Sequence, residues 1–398
     1  MKATIFHYLC ACALLVSCSS SHKEGQRGEN DVVDIKRVEV LFPPTDVLQL
    51  KSYYLSSYIA CDSNEVLIGY NYKEHALDCI NIDTRQISQI PLQQEGSDAI
   101  IRLTGIYGYK KDSIWLSDES ERVFLINSNG HILKRMRPKD YLDDKEELIL
   151  NTNHAMSTVH LYYDAKRQSL LCTVKDRSTS PVSFKVKEIP LQQGNVSTYE
   201  LSPSVVESNT SEGYANMSEP NVNFQEEYIV YNYPIESHIY LLNRQTGKRE
   251  VIQAESRYTA NKADKCPSKT DYTAWERHGF ENPHFFDVMY IPRHTMYARL
   301  HFGSIDFDTN RDLRRVAYQR PLYLMLFDKD FRKLCEVQLP SNRYNPYTGW
   351  NTIESGIVFF VDGEQGHPDV EDLIMELVYP VEKEENWLAT PIKRMASE

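Results

Sequence analysis

The stretch Tyr240-Leu241-Leu242-Asn243-Arg244-Gln245-Thr246-Gly247-Lys248, running on into Val251-Ile252, reads as an apolar strand, a tight turn and a second strand. Asn and Gly tolerate the positive φ that tight hairpin turns require, so the turn has a physical basis in its residue types. The same plan appears in Cys79-Ile80-Asn81-Ile82-Asp83-Thr84-Arg85-Gln86-Ile87 and in Phe124-Leu125-Ile126-Asn127-Ser128-Asn129-Gly130-His131-Ile132-Leu133. It returns in Leu324-Met325-Leu326-Phe327-Asp328-Lys329-Asp330-Phe331-Arg332 before Leu334. One hairpin repeated along a chain predicts a propeller, a solenoid or an array.

Working outward, six segments share a plan in which a short apolar run precedes a longer strand pair, with starts near residues 65, 113, 169, 228, 296 and 357. The turn of the third segment, between Ser169–Val174 and Phe184–Leu191, is degenerate. A four-stranded blade takes about 40 to 50 residues, so these spacings fit one blade each plus loop insertions. The fold expected is all-β, a six-bladed β-propeller over residues 36–385. An open ring leaves unpaired edge groups, so the strand Arg37-Val38-Glu39-Val40-Leu41-Phe42 is expected to pair with the last blade around Leu373 to Tyr379. The only helix-period stretches are Lys139 to Leu150, read as a surface helix in a blade connection, and Asp369 to Leu377.

The chain opens with Lys2 and an apolar stretch, Ile5 to Val16, too short to span a bilayer as a helix. It ends in Leu15-Val16-Ser17-Cys18, which resembles the lipobox of bacterial lipoproteins. That resemblance implies a signal peptide at 1–17, cleavage before Cys18 and a diacylglyceryl group and palmitate on its thiol. Residues 18–35 then form a lipidated tether, and 386–398 a C-terminal tail. By the same resemblance, Ser19 in place of an aspartate favours the outer membrane. No acidic cluster directly follows Cys18, which favours the periplasmic face over the cell surface.

Of the 398 residues, 41% are hydrophobic and 25% charged, which is the composition of a folded protein. The net charge of −12, with no clustered Lys/Arg run, argues against a nucleic-acid partner. Beyond the leader and Cys18, five cysteines remain: Cys61, Cys79, Cys172, Cys266 and Cys335. They read as buried strand residues, with a Cys61–Cys79 bridge as the one pairing considered.

Several motifs together resemble a family. They are the lipobox, Gly69-Tyr70-Asn71 before Leu77-Asp78-Cys79-Ile80-Asn81-Ile82, and Lys111-Asp112-Ser113-Ile114-Trp115-Leu116 before Val123-Phe124-Leu125-Ile126-Asn127. The chain is similar, from Val32 onward, to the six-bladed-propeller lipoproteins of anaerobic gut-type Gram-negative bacteria that are grouped as a domain of unknown function. The resemblance implies fold and location and carries no catalytic residues with it.

No Gly-x-Ser-x-Gly, His-Glu-x-x-His, phosphate-loop or EF-hand motif is present, and no cofactor or metal is implied. The longest insertion, Glu255 to Pro292, holds Trp275, Arg277 and His278 among other aromatic and cationic residues of the kind enriched in binding surfaces. His278, His284, His294 and His301 match no compact metal-ligand spacing. A second candidate surface is Asn342 to Trp350, with Tyr347 and Trp350; it lacks the aspartate of the sialidase Asp-box turn. The acidic run Asp362 to Asp372 reads as a solvated turn ahead of a calcium loop. The expected function is a membrane-anchored envelope lipoprotein whose propeller binds or scaffolds a protein, peptide or glycan. The alternative is a periplasmic hydrolase or lyase with its site at the central channel, which needs acid and base side chains from separate blades to converge there.

Overall fold

Each of the four turns closes on an Asn or Asp side chain that accepts from backbone N–H groups ahead of it. Asn243 Oδ1 accepts from Gln245 N at 2.9 Å and Thr246 N at 2.8 Å. Asn81, Asn127 and Asp328 do the same in their own turns. In every copy the residue closing the backbone bond sits in the left-handed region: Arg85 (φ 61), Gly130 (φ 77), Gly247 (φ 69) and Phe331 (φ 61). The side-chain bond holds the turn tightly enough that two positions accept this backbone without glycine.

The computed structural model describes residues 31–42, 50–61, 64–149, 161–206 and 213–382, apart from 226, 269, 309, 311, 347 and 362–371. These turns join the two outer strands of sheets in a ring. There are six sheets, five of four strands and one of five, each antiparallel. Blade 1 spans Ser56–Pro91, blade 2 Leu103–Met136, blade 3 Glu146–Glu200, blade 4 Asn221–Ile252 and blade 5 His284–Gln338. Blade 6 combines Trp350–Thr352, Ile357–Phe360 and Leu373–Glu382 with the N-terminal strand Val33–Phe42. The protein is a six-bladed β-propeller.

An apolar cluster fills each interface between neighbouring blades. Ile59, Ile106 and Phe124 join blades 1 and 2. Trp115 meets Tyr163 between blades 2 and 3, and Leu171 meets Tyr231 between 3 and 4. Val230 meets Phe327 between 4 and 5, and Phe286 meets Phe359 between 5 and 6. Phe42, Leu67 and Phe360 join blades 6 and 1. Successive residues of one strand serve opposite neighbours: Val358 and Phe360 face blade 1, while Ile357 and Phe359 face blade 5. Such strands are buried on both faces and read as unbroken apolar runs, Leu322–Phe327 and Ile357–Phe360 among them.

The N-terminal strand pairs over ten residues with Leu373–Glu382, Val33 opposite Glu382 and Phe42 opposite Leu373. This register sets Glu39 opposite Glu376, two like charges. Arg343 offsets them, its Nη2 lying 2.5 Å from Glu39 and 2.6 Å from Glu376. The buried Glu376 also accepts from the hydroxyl of Tyr344.

Some expectations are corrected. The strand begins at Val33, so 33–35 belong to the ring and not to a tether. Lys139 to Ile149, the described part of the stretch expected as a surface helix to Leu150, holds no α-helix: Pro138–Tyr141 is a 3-10 turn and Glu146–Leu148 a strand, where Lys185 and Lys187 hold Glu146. Cys79, Cys172, Cys266 and Cys335 are free thiols, so no Cys61–Cys79 bridge forms. Cys79 sits across from Ile68, which faces Ser57, four residues short of Cys61. Four residues of strand cover about 13 Å, and a disulfide requires Cα atoms within about 7 Å. The acidic run 362–371 lies outside the described residues.

Phe42 is fully buried, whereas Leu41 beside it is 41% exposed. Phe42→Ala is expected to lower the unfolding free energy by about 3–5 kcal/mol. Leu41→Ala is expected to change it by less than about 0.5 kcal/mol. Urea denaturation of both variants checks this, and equal losses would show that the strand contributes little through its inward face.

Candidate functional site

The two rims of the ring differ in the length of their connections. At one rim the strands are joined by tight turns: 82–86, 111–112, 127–131, 165–168, 191–196, 244–248, 292–295, 328–332 and 353–356. The other rim carries the connections 92–102, 253–283, 303–321 and 339–349. We refer to them as the short-turn rim and the long-loop rim.

The long connections are held by buried polar side chains. Arg299, fully buried, donates to Ser237 O and Ala254 O, both at 2.7 Å, and lies over the Phe285 ring at 4.9 Å. Arg320 donates to Gly303 O at 2.7 Å and Asn282 O at 2.5 Å, over the Phe302 ring. Desolvation pulls both guanidinium groups down to about 9, which leaves them charged at neutral pH. Glu336 accepts from Ser256 Oγ at 2.5 Å, Arg257 N at 3.0 Å and His301 Nε2 at 3.1 Å, and these bonds hold its carboxyl down at about 2 despite burial.

Within 253–283 the residues Tyr272–Glu281 form a helix, α1, capped by Asp271, whose carboxylate accepts from Thr273 N at 2.9 Å. The helix separates the three candidates of this insertion. Trp275 borders a cavity of about 420 Å³ on the long-loop rim between blades 3 and 4. Arg277 faces solvent, 3.4 Å from Glu281 and over the Phe307 ring. His278 points inward, 3% exposed, its Nε2–H donating to Asp264 O at 2.6 Å. Trp350 is also interior, 2% exposed and edge-on to Phe286, because it begins the inner strand of blade 6. Tyr347 lies outside the described residues.

Phe184, Leu201, Pro203, Tyr233 and Trp275 form the apolar walls of the cavity. Their polar atoms are already satisfied: Trp275 Nε1 donates to Ser268 O at 3.0 Å, and the Tyr233 hydroxyl to Ser202 O at 2.8 Å. What the rings offer a ligand is therefore their faces. Lys175 and Arg177 stand at the edge, paired with Glu219 at 2.7 Å and Glu147 at 2.6 Å. Phe184, Leu201 and Tyr233 escaped sequence reasoning because each also reads as an ordinary strand or loop residue.

Around the ring centre the inner strands bring together aromatic and amide side chains. Tyr107 packs edge-on to Tyr162 at 5.0 Å, and Tyr162 stacks on Phe224 at 5.2 Å. Asn351 Nδ2 donates to Ser56 Oγ at 2.5 Å, joining blades 6 and 1. Asn223 Nδ2 donates to Asp287 Oδ2 at 2.7 Å, joining blades 4 and 5. Burial pushes the Asp287 carboxyl up to about 6. The other inner-strand carboxylates are taken by cations: Asp164 by Arg244 at 2.8 Å, Glu146 by Lys185 at 3.0 Å and by Lys187, and Glu147 by Arg177. Of these pairs, Asp164 with Arg244 joins separate blades, 3 and 4, and Arg244 also reaches Glu188 of blade 3 at 2.9 Å, at the short-turn rim.

A family model described as a domain of unknown function, DUF4221, matches residues 33–338. The chain belongs to the DUF4221 family. A crystal structure of a DUF4221 member from Bacteroides vulgatus superposes with a TM-score of 0.70 at 15% identity, over 89% of this chain and 100% of that one. A Bacteroides fragilis protein described as exported gives a TM-score of 0.48 at 11% identity, over 88% and 95% of the two chains. The calcium-binding protein regucalcin from Agrobacterium tumefaciens gives 0.43 at 10% identity, over 86% and 96%. The first of these likenesses bears on fold. No curated protein sequence matches the chain.

Apart from the lipobox, which lies outside the described residues, the motifs that resembled the family are structural in this DUF4221 propeller. A Cβ at Gly69 would lie 2.4 Å from the Tyr53 ring, so only glycine admits that ring. The Tyr53 hydroxyl donates to Asp78 at 2.8 Å, and Asn71 and Gln89 donate to the same buried carboxylate at 3.1 and 2.8 Å. Asp112 accepts from the Ser128 hydroxyl at 2.5 Å, tying together two turns of the short-turn rim.

Asp287 makes stability depend on pH. An unfolded aspartate titrates near 3.8 and the folded one at about 6, so the folded state holds the proton more tightly. Its contribution is fully present below about 4 and is lost as pH rises through about 6, a change of about 2–3 kcal/mol. Asp287→Asn, which keeps an acceptor for Asn223, is expected to be more stable than the parent at pH 7.5, with the gap closing towards pH 4. Denaturation midpoints across this range check it; a gap independent of pH contradicts a desolvated carboxyl.

Proposed function

We propose that the protein is a binding propeller of the cell envelope, held at the membrane by an acylated Cys18, that takes its ligand on the long-loop rim in the cavity bordered by Trp275. The observation that carries this reading is the roughly 420 Å³ cavity, which falls in the size range of small-ligand sites and is walled by ring faces whose polar atoms are already bonded. With these polar atoms bonded to backbone carbonyls, aromatic faces in a rigid frame suit recognition of an apolar or ring-bearing group of a peptide or glycan. The envelope location rests on the leader and on Leu15-Val16-Ser17-Cys18, which lie outside the described residues. No helix among the described residues is long and apolar enough to cross a membrane, so the acyl group would be the anchor in this reading.

Two measurements test the reading. Thermal unfolding of the mature chain against a panel of peptides and glycans is expected to find a stabilising ligand, with about 2.7 kcal/mol gained at a hundredfold excess over Kd. Trp275→Ala is expected to abolish the gain and Asn129→Ala, on the short-turn rim, to keep it. Persistence of the gain in Trp275→Ala would move the site elsewhere. Membrane fractions are expected to hold the wild-type chain with an acyl mass on Cys18, and to lose the Cys18→Ser variant to the soluble fraction.

A further inference from the structure

We infer that the anchored ring stands on its short-turn rim, so that the long-loop rim and its cavity face away from the bilayer. This rests on the acyl-anchor reading of Cys18 and adds the direction in which the propeller is presented. The deciding feature is where the chain enters the ring. The turn 353–356 belongs to the short-turn rim, and Ile357 just after it pairs with Val378, whereas Phe360 pairs with Met375. The strand Leu373–Glu382 therefore runs towards the short-turn rim, and Val33, opposite Glu382, lies at that rim.

The entry point is also fastened. Val32 N donates to Leu334 O at 2.9 Å, beside the short-turn-rim connection 328–332. Asp31 accepts from both terminal nitrogens of Arg257, at 2.9 and 2.8 Å, where the connection 253–283 comes down the flank of blade 5 to reach Glu336 of its outer strand. Twelve residues, Ser19 to Asn30, separate this clamp from Cys18. Stretched fully, the path from Cys18 to Asp31 covers at most about 45 Å. The ten-residue strand from Val33 to Phe42 spans about 33 Å between the two rims. To lay the long-loop rim on the bilayer, the linker would have to run back along the ring's flank and use about three-quarters of that reach. With the short-turn rim on the membrane side, no such extension is needed. The ligand implied is one that arrives from the aqueous side, and bilayer lipid is out of the cavity's reach.

The test uses the full acylated chain in vesicles of phosphatidylethanolamine and phosphatidylglycerol carrying an energy-transfer acceptor on the lipid headgroup. A donor dye is placed through Asn129→Cys on the short-turn rim or Thr270→Cys on the long-loop rim, with the unsubstituted chain as the labelling control. Transfer is expected to be clearly greater from position 129 than from 270. Equal transfer, or greater transfer from 270, overturns the orientation while leaving the anchor intact. If the wild-type chain floats with the vesicles no better than Cys18→Ser, the anchor itself fails and the orientation falls with it. Because both dyes sit on exposed loop positions, neither substitution enters a blade interface.

Discussion

Every sheet in this protein must bury both of its faces, and that requirement governs the rest. A blade with one bare face would leave an apolar surface such as Ile357 and Phe359 in water, so each blade needs two neighbours. The arrangement is stable only when the last interface, between blades 6 and 1, is filled like the other five. Phe42 fills part of it from the N-terminal strand, and Arg343, standing between Glu39 and Glu376, offsets the like charges that the strand's register sets opposite each other. Packing thus joins the two ends of the described chain in one sheet.

The same requirement divides labour between the rims. Strands that bury both faces leave little freedom in the turns that join them, and the Asn and Asp turns of the short-turn rim are self-contained, each satisfied by its own backbone. The long-loop rim has to be fastened to the ring, and buried charged groups do this. Arg299, Arg320 and Glu336 each reach loop backbone from the ring, and burial of these groups is tolerable because each makes several hydrogen bonds, Glu336 with Ser256 and His301 side chains as well. A cavity with ordered walls can then persist on a surface built from loops.

Much of the ring was legible because hairpin chemistry is local. Asn81, Asn127, Asn243 and Asp328 mark the outer turns of blades 1, 2, 4 and 5, and the positive φ that follows each is the constraint the residue types reveal. The two blades without the signal have physical reasons. Blade 3 turns through 191–196 without the Asn or Asp side-chain bond, and blade 6 has no such turn, since its outer strand comes from the other end of the chain. The candidate site was legible only in part. Trp275, Arg277 and His278 are adjacent in sequence, yet a helix turns them in different directions, to the cavity, to solvent and to the interior. The helical period of Tyr272–Glu281 was masked by its position in a long polar insertion.

What the sequence by itself determined is the ring: strand-forming apolar runs, turn residues that demand positive φ, and a spacing that leaves room for six such units. These are effects between residues close along the chain, so they survive without knowledge of the fold. What only the tertiary structure decided is which side chains meet. The Trp275 wall is completed by Phe184, Leu201 and Tyr233 from other blades and loops, and the Asn223–Asp287 contact spans 64 residues. Burial is likewise a property of the assembled ring, which is why Trp350, a surface candidate by composition, became a core residue once blade 5 closed over it.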